Sequence, residues 1–306
     1  MAAVDSPDVP VAANAELEPP FAMSVDVEDY FQVQAFAHVV DRSEWDQRPA
    51  RVERNVERLL AILADARARG TFFVLGWIAT RYPALVRRIA SCGHEIGSHG
   101  MSHRMLTELT PEEVRDEART SRLLLEDISG TAVEGFRAPS YSINRHTRWA
   151  LDILADTGYA YDSSIFPIRR RRYGYPEGPT APVRLPTDRS EIAEVPMTTV
   201  GVGPVRLPVL AGSYLRLLPA WISRAAVSHH LRRRLPLMVN VHPWEIDPGQ
   251  PTIGPSRRRA WTHYSGLSRT AVKLRSVLGM ARFASVASRL REMQLLDRPQ
   301  AVGSPA

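Results

Sequence analysis

The sequence predicts an α/β fold with a mostly parallel sheet. Short apolar runs recur along the chain, and helical patterns fill the intervals between them. Asp26, His99, Arg137, Asp162 and His242 each stand at or just after the C-terminal end of an apolar run, where parallel α/β folds collect their functional groups. The alternation alone fits an open sheet or a barrel; the placement of these five residues favours a barrel-like site.

The runs read as buried strands are Phe21 to Val25, Thr71 to Leu75, Glu95 to Ser98, Val133 to Phe136, Tyr159 to Tyr161, Ile192 to Val195 and Leu237 to Val241. After the first, Val52, Val56, Leu59, Leu60 and Leu63 fall at three- and four-residue spacing and Gly70 marks a stop, which is a helix. Thr110 followed by Pro111, Glu112 and Glu113 supplies an N-cap, a first-turn proline and acids favoured by the helix dipole, opening a helix to about Ile128. A further helix is predicted from Arg145 to Asp156. From Pro167 to Gly212 the chain is dense in Pro, Gly and Arg, and apart from the run at Ile192 it reads as extended loops lining a cleft or covering an edge. Beyond Val241 come a polar stretch, a basic-aromatic patch from Arg257 to Tyr264, and helical patterns near Leu267 to Leu278 and Phe283 to Leu295.

Composition sets the limits. A chain of 306 residues with 44% hydrophobic content can bury a sizeable core. No apolar run is long enough to span a membrane, and residues 1–20 have neither the charged nor the apolar region of a secretory signal, so they read as a disordered tail. The single cysteine, Cys92, excludes an internal disulfide and a cysteine-based metal cluster and fits a reducing compartment. The net charge of +6 comes almost wholly from arginine, since Lys273 is the only lysine. The runs Arg169 to Arg172, Arg232 to Arg234 and Arg257 to Arg259 could meet anionic lipid or acidic glycan; solvated loop and helix ends are the ordinary reading.

The strongest chemical signal is Gly97-Ser98-His99-Gly100-Met101-Ser102-His103, whose histidines, four apart, can turn their imidazoles to one cation. Two histidines leave a site incomplete, and a carboxylate is needed. Ser24-Val25-Asp26-Val27-Glu28-Asp29 places three acids after the first strand, more anionic charge than a strand end carries without a compensating cation or arginine. Arg137, in Gly135-Phe136-Arg137-Ala138-Pro139-Ser140-Tyr141, is the candidate arginine. His242, in Val239-Asn240-Val241-His242-Pro243, can move a proton near neutral pH. His94, His229 and His230 are assigned to surface or helix and not to the metal.

Together these segments resemble the polysaccharide deacetylases of carbohydrate esterase family 4, over roughly Phe21 to Pro243. The metal-binding histidine motif is matched by Ser98-His99 through His103, the arginine-proline motif by Arg137-Ala138-Pro139, the acid-bearing strand by Tyr161-Asp162-Ser163-Ser164 and the terminal histidine motif by Val241-His242-Pro243. The acids Asp26, Glu28 and Asp29 depart from the family's commonest paired aspartates and are similar to the branch of bacterial allantoinases and certain peptidoglycan deacetylases. Arg259 to Leu278, with His263-Tyr264 and Lys273-Leu274-Arg275, resembles the C-terminal extension of deacetylases that accompany bacterial exopolysaccharide gene clusters.

The resemblance implies a distorted (β/α) barrel with mostly parallel strands plus a C-terminal helical extension. The expected division is a disordered tail over 1–20, a catalytic domain over 21–243, the extension over 244–295 and a second tail over 296–306. It implies a divalent cation, zinc first among the candidates, held by His99, His103 and either Glu28 or Asp29, with position favouring Glu28. Asp26, oriented by Arg137, would be the general base, a backbone amide near Tyr141 would steady the oxyanion, and His242, tuned by Asp162, would protonate the leaving amine. Pro139, Tyr141 and Trp244 are candidate substrate contacts. The function so implied is metal-dependent deacetylation of N-acetylated sugars in a bacterial polysaccharide or its precursor, in the cytoplasm or at the inner face of the plasma membrane, with no nucleic-acid partner. Competing readings are hydrolysis of a small cyclic amide, glycoside hydrolysis by Asp26 and a second carboxylate, and a glycan-binding relative without activity.

Overall fold

A computed structural model describes residues 21–170, 173–203, 205–254 and 257–297. The predicted tail over 1–20, most of that over 296–306, Arg171 and Arg172, and the side chains of Arg257 to Arg259 lie outside the described residues.

Ten strands and ten α-helices follow in chain order: β1 (Phe21–Val27), α1 (Val52–Asp65), β2 (Thr71–Val74), α2 (Gly76–Arg81), α3 (Pro83–Ser91), β3 (Glu95–Ser98), α4 (Pro111–Ser129), β4 (Gly135–Phe136), α5 (Ala150–Asp156), β5 (Tyr161–Asp162), β6 (Val183–Pro186), β7 (Glu191–Glu194), β8 (Thr199–Val202), β9 (Val205–Pro208), α6 (Ser213–Leu217), α7 (Ala220–Arg233), β10 (Leu237–Val241), α8 (Arg257–Tyr264), α9 (Leu267–Leu278) and α10 (Val286–Glu292). Eight strands form one curled sheet in the order β10-β1-β2-β3-β4-β5-β7-β6, with only β6 antiparallel to its neighbour; β8 and β9 make a separate hairpin. This is the mostly parallel, distorted barrel the sequence predicts, left open between β6 and β10.

Side chains alternate across a strand, and that period of two sorts the chemistry from the packing. Along β1, Phe21, Met23, Val25 and Val27 enter the main core under the helices, which leaves Ala22, Ser24 and Asp26 for the opposite, inner face. On β10, Leu237, Val239 and Val241 join the same core while Met238 and Asn240 turn inward. Parallel pairing of Ser24 with Asn240 then brings the inner polar residues of two strands side by side, and pairing of Asp26 with Phe73 sets an aromatic ring of the third beside them.

Two expectations change. The predicted helix from Arg145 starts only at Ala150, because the Asn144 side chain accepts from the His146 amide (2.8 Å) and the Thr147 hydroxyl accepts from the Asn144 amide (2.9 Å), a local turn that competes with helix. The segment read as loops from Pro167 to Gly212 contains, besides the expected strand at Ile192 (β7), three further short strands, β6, β8 and β9. At the C-terminal end, α9 has the predicted bounds, and Ala284, just before α10, bridges Ala22 of β1.

A candidate metal and acid-base site

The sheet's C-terminal edge opens into a cleft of about 610 Å³ whose lining includes Asp26, Glu28, His99, His103, Tyr141 and His242. One ligand atom from each of Glu28, His99 and His103 falls within 4.8 Å of the others, and all three residues are buried. These residues fit a divalent cation on their own chemistry. His99 Nδ1 stands 2.7 Å from the Arg137 carbonyl, a bond that requires its proton and so leaves Nε2 its lone pair. Burial, with His103 adding to it, pushes the His99 imidazole down to about 4, so it is neutral at physiological pH. Glu28 Oε2 is buried without a properly oriented hydrogen-bond donor, although His103 Nε2 lies 2.6 Å away. Burial works to raise the Glu28 carboxyl, but the imidazoles of His103, His242 and His99 overcome it and hold the group down near about 2.

The two histidines do not meet as one helix face. His99 follows β3, and the chain turns through Gly100 (φ 72) to His103 (φ 55). The Glu117 carboxylate of α4 holds this turn by accepting from the Met101 amide (2.6 Å) and the Ser102 amide (3.0 Å), while Arg42 Nε donates to the Ser102 carbonyl (2.9 Å). A left-handed non-glycine residue costs on the order of 1–3 kcal/mol, which packing must over-determine.

Asp26 sits beside this trio. Its Oδ1 accepts from Arg137 Nη1 at 2.7 Å and its Oδ2 from Asn240 Nδ2 at 3.0 Å. Burial works to raise the carboxyl, yet the Arg137 guanidinium, helped by His99 and His242, keeps it below the usual carboxylate range and ionised. Arg137 is fixed in turn by Ser24 Oγ and Asn240 Oδ1 (both 2.8 Å), by the Ser163 carbonyl (2.9 Å) and hydroxyl (2.8 Å), and by the Phe73 ring 4.1 Å beneath it. Gly97 keeps that ring in place, since a Cβ there would lie 2.6 Å from Phe73.

His242 Nε2 stands 3.6 Å from both Asp26 Oδ2 and Glu28 Oε1. Burial disfavours its charge, but the Glu245 hydrogen bond and the charges of Glu28, Glu245 and Asp26 raise it to about 9, so it carries a proton at neutral pH.

Two expectations need correction. Asp29 does not join the trio: its carboxylate turns to the start of α1, accepting from the Arg51 (2.6 Å) and Val52 (3.0 Å) amides. Asp162 does not tune His242. It accepts from the Ser164 hydroxyl (2.6 Å) and amide (3.0 Å) and pairs with Glu194, whose carboxyl burial and the Asp162 charge push well up. The amide of Tyr141 itself donates back to the Ala138 carbonyl at 3.1 Å.

Of the substrate candidates, Tyr141 lines the cleft, its hydroxyl 3.4 Å from Asp26 Oδ2 and accepting from Asn240 Nδ2 at 2.8 Å. Pro139 is buried under the turn it opens. Trp244 is only 6% exposed, stacked on the rings of His242 (5.3 Å) and His263 (4.2 Å), with Nε1 donating to Glu28 Oε1 at 3.2 Å. It braces the site, leaving little ring for a sugar to stack on. His94 is buried, not on the surface, and His230 is buried on α7.

Sequence reasoning missed Asn240 and Glu245. Asn240 stands two residues before His242 on the same strand face, so the period of two pointed to it. Glu245 stands three residues after His242 and accepts from its amide at 3.1 Å, a capping-box spacing.

Comparison with known proteins places this geometry. Residues 43–161 match the family model described as polysaccharide deacetylase, and residues 163–291 match one described as a domain of unknown function (DUF3473). A chitooligosaccharide deacetylase of Bradyrhizobium sp. is 32% identical over 102 residues, covering 33% of this chain and 44% of that protein. A peptidoglycan-N-acetylglucosamine deacetylase of Bacillus cereus is 32% identical over 96 residues, 31% of this chain and 35% of that protein. The chain thus spans less than half the length of these curated relatives. The fold is similar to that of a Mycobacterium smegmatis protein provisionally described as a polysaccharide deacetylase, with TM-score 0.62 and 21% identity over 98% of this chain and 99% of that one. It is also similar to Puue allantoinase, with TM-score 0.60 and 13% identity over 95% and 98%.

Proposed function

We propose, from the premise that residues 43–161 make this chain a member of the polysaccharide deacetylase family, that it hydrolyses the acetamide groups of N-acetylated sugars in a bacterial polysaccharide or its precursor. The observation that carries the reading is the convergence of Glu28, His99 and His103 beside an ionised Asp26 and a protonated His242. A divalent cation, zinc first among the candidates, would be held by Glu28, His99 and His103 and would polarise the acetamide carbonyl while making a water molecule more acidic.

The chain's own residues do the rest. Asp26, held by Arg137 and Asn240, accepts a proton from the attacking water. His242 gives its Nε2 proton to the amine nitrogen as the C–N bond breaks, and acetate and a free sugar amine leave. Tyr141 stands over Asp26 at the cleft wall and meets the sugar.

A glycan suits the cleft better than a small ring does. Met105 and Tyr173 are shared with a second open cleft of about 580 Å³ that continues the first and whose lining includes Arg145, His146, Arg169 and Arg170. A groove of this kind takes several sugar units, whereas a cyclic amide is better enclosed. An exopolysaccharide role draws its support from the C-terminal segment, where the resemblance to extensions encoded beside exopolysaccharide genes meets the match to the DUF3473 model. The test is product analysis on N-acetylglucosamine oligomers and on allantoin in parallel. Acetate and new amine in equal amounts from the oligomers is the expected outcome; ring opening of allantoin with no acetate from any glycan would replace this reading by the cyclic-amide one.

A further inference from the structure

We propose that Glu245 and Arg216 are positioning residues for His242, anchored by the C-terminal segment, and that they hold its imidazole with the Nδ1 proton on Glu245 and Nε2 turned to the cleft. The proposal rests on the deacetylase reading above, in which His242 protonates the leaving amine.

Glu245 is fully buried and Arg216 is 2% exposed. Glu245 Oε2 lies 3.0 Å from His242 Nδ1, and its Oε1 accepts from Arg216 Nε at 3.1 Å. Arg216 spends Nη1 on the carbonyls of Thr262 (2.8 Å) and Ser265 (2.6 Å), and its guanidinium lies 5.5 Å from the Trp244 ring that stacks on His242. Lys273 Nζ then donates to the carbonyls of Arg216 and Leu218, both at 2.6 Å. Thr262, Ser265 and Lys273 all belong to the part of the chain that matches the domain of unknown function. A chain of polar contacts therefore runs from α8 and α9 through Arg216 and Glu245 to His242.

A buried charged group of this kind is a poor device for stability, because well-packed apolar residues often serve as well or better. What it supplies is direction. A carboxylate oxygen only accepts, so Glu245 Oε2 keeps a proton on Nδ1, and the proton that moves is the one on Nε2. The backbone leaves room for this arrangement at Gly212 (φ 47): a Cβ there would come within 3.3 Å of His242 Cε1 and 3.8 Å of Glu245 Oε2. Asp162, the acid the sequence offered for this task, is engaged with Ser164 and Glu194 instead.

In the reaction the water oxygen bonds to the acetyl carbon and gives one proton to Asp26. The C–N bond then breaks as the nitrogen takes the Nε2 proton, while the Nδ1 proton stays on the Glu245 hydrogen bond. Only this second proton transfer depends on His242, so the proposal separates substrates by leaving group. An N-acetylglucosamine oligomer must have its nitrogen protonated; 4-nitrophenyl acetate expels a phenolate that needs no acid.

The experiment compares both substrates in the wild type, E245Q, H242Q and the double variant, on the full chain with its metal content checked. E245Q is expected to lower kcat on the oligomer roughly 10²-fold, with KM and ester hydrolysis within about threefold, and to cost nothing further in the H242Q background. Equal losses on both substrates, additive losses in the double variant, or no loss at all would overturn the proposal. Should E245Q fail to fold, R216K keeps the charge but not the fork of nitrogens, and it should show the same selective loss at smaller size; equal or absent loss there overturns the proposal too. A wild-type chain that releases acetate from the ester but not from any acetamide would instead overturn the deacetylase reading on which this assignment rests.

Discussion

Asp26, Glu28 and Asp29 lie within four residues, and their neighbours give each a different task. Asp26 faces Arg137 and Asn240, Glu28 faces two imidazoles, and Asp29 faces the first amides of α1. Asp26→Asn should therefore lower kcat by roughly 10²-fold or more while leaving the metal bound, measured as acetate release beside elemental analysis. Glu28→Gln should lose the metal. Asp29→Ala should keep it and lower stability by about 1–3 kcal/mol in denaturant unfolding, because two buried amides and a half-buried one lose their acceptor. Metal retained by the Glu28 variant and lost by the Asp29 variant would reverse the assignment. The spacing alone left these two acids open, since β1 ends at Val27 and the turn that follows decides which carboxylate looks into the cleft.

At the scale of elements, the legible parts were those with strong periodicity and buried faces. The apolar spacing of α1, the N-cap and first-turn acids of α4 (Thr110, Glu112 and Glu113) and the apolar runs of β1, β2, β3 and β10 all reappear with little change in their bounds. Strand β7 was read from the run at Ile192, but β6, β8 and β9 were not legible. Each is four residues long, and the faces of β6 and β9 are largely exposed, so no apolar alternation marks them.

The join between α3 and β3 carries a pH dependence. His94 Nδ1 accepts from the Gly70 amide at 3.2 Å, which requires the neutral ring, and burial beside Arg69 pushes the imidazole down to about 4. Above the unfolded value of 6.5 neither state binds the proton, so this contribution to stability is complete. It is lost as pH falls from about 6.5 towards 4, where only the unfolded chain takes the proton, by about 2 kcal/mol once solvent screening is allowed for. Urea unfolding at pH 7 and pH 4.5 should show that loss in the wild type and a smaller one in H94Q; identical losses would remove His94 as the cause.

Across the whole molecule, the segment after Pro243 is knitted into the sheet. Ala284 bridges Ala22, the Val286 amide donates to Thr71 Oγ1 (2.8 Å), and the Phe283 ring meets that of Phe21 at 5.6 Å. Leu274, Val277, Leu278, Phe283, Val286 and Leu290 are buried, and six such side chains at about 1.5–3 kcal/mol each are comparable to the net stability of an ordinary domain. We therefore expect one cooperative unfolding transition in calorimetry and no folded product from a chain ending at residue 254. Two resolved transitions would mark the extension as an independent unit. Among the described residues no helix is long and apolar enough to cross a membrane.

The central claim is that a cation held by Glu28, His99 and His103 sustains hydrolysis of N-acetylated sugars. It is tested most directly by titrating the chelated chain with zinc while following both bound metal and acetate release from N-acetylglucosamine oligomers. The account predicts that activity rises in proportion to occupancy and saturates at about one ion per chain. Full acetate release with the metal stripped, or no binding at all, would contradict it.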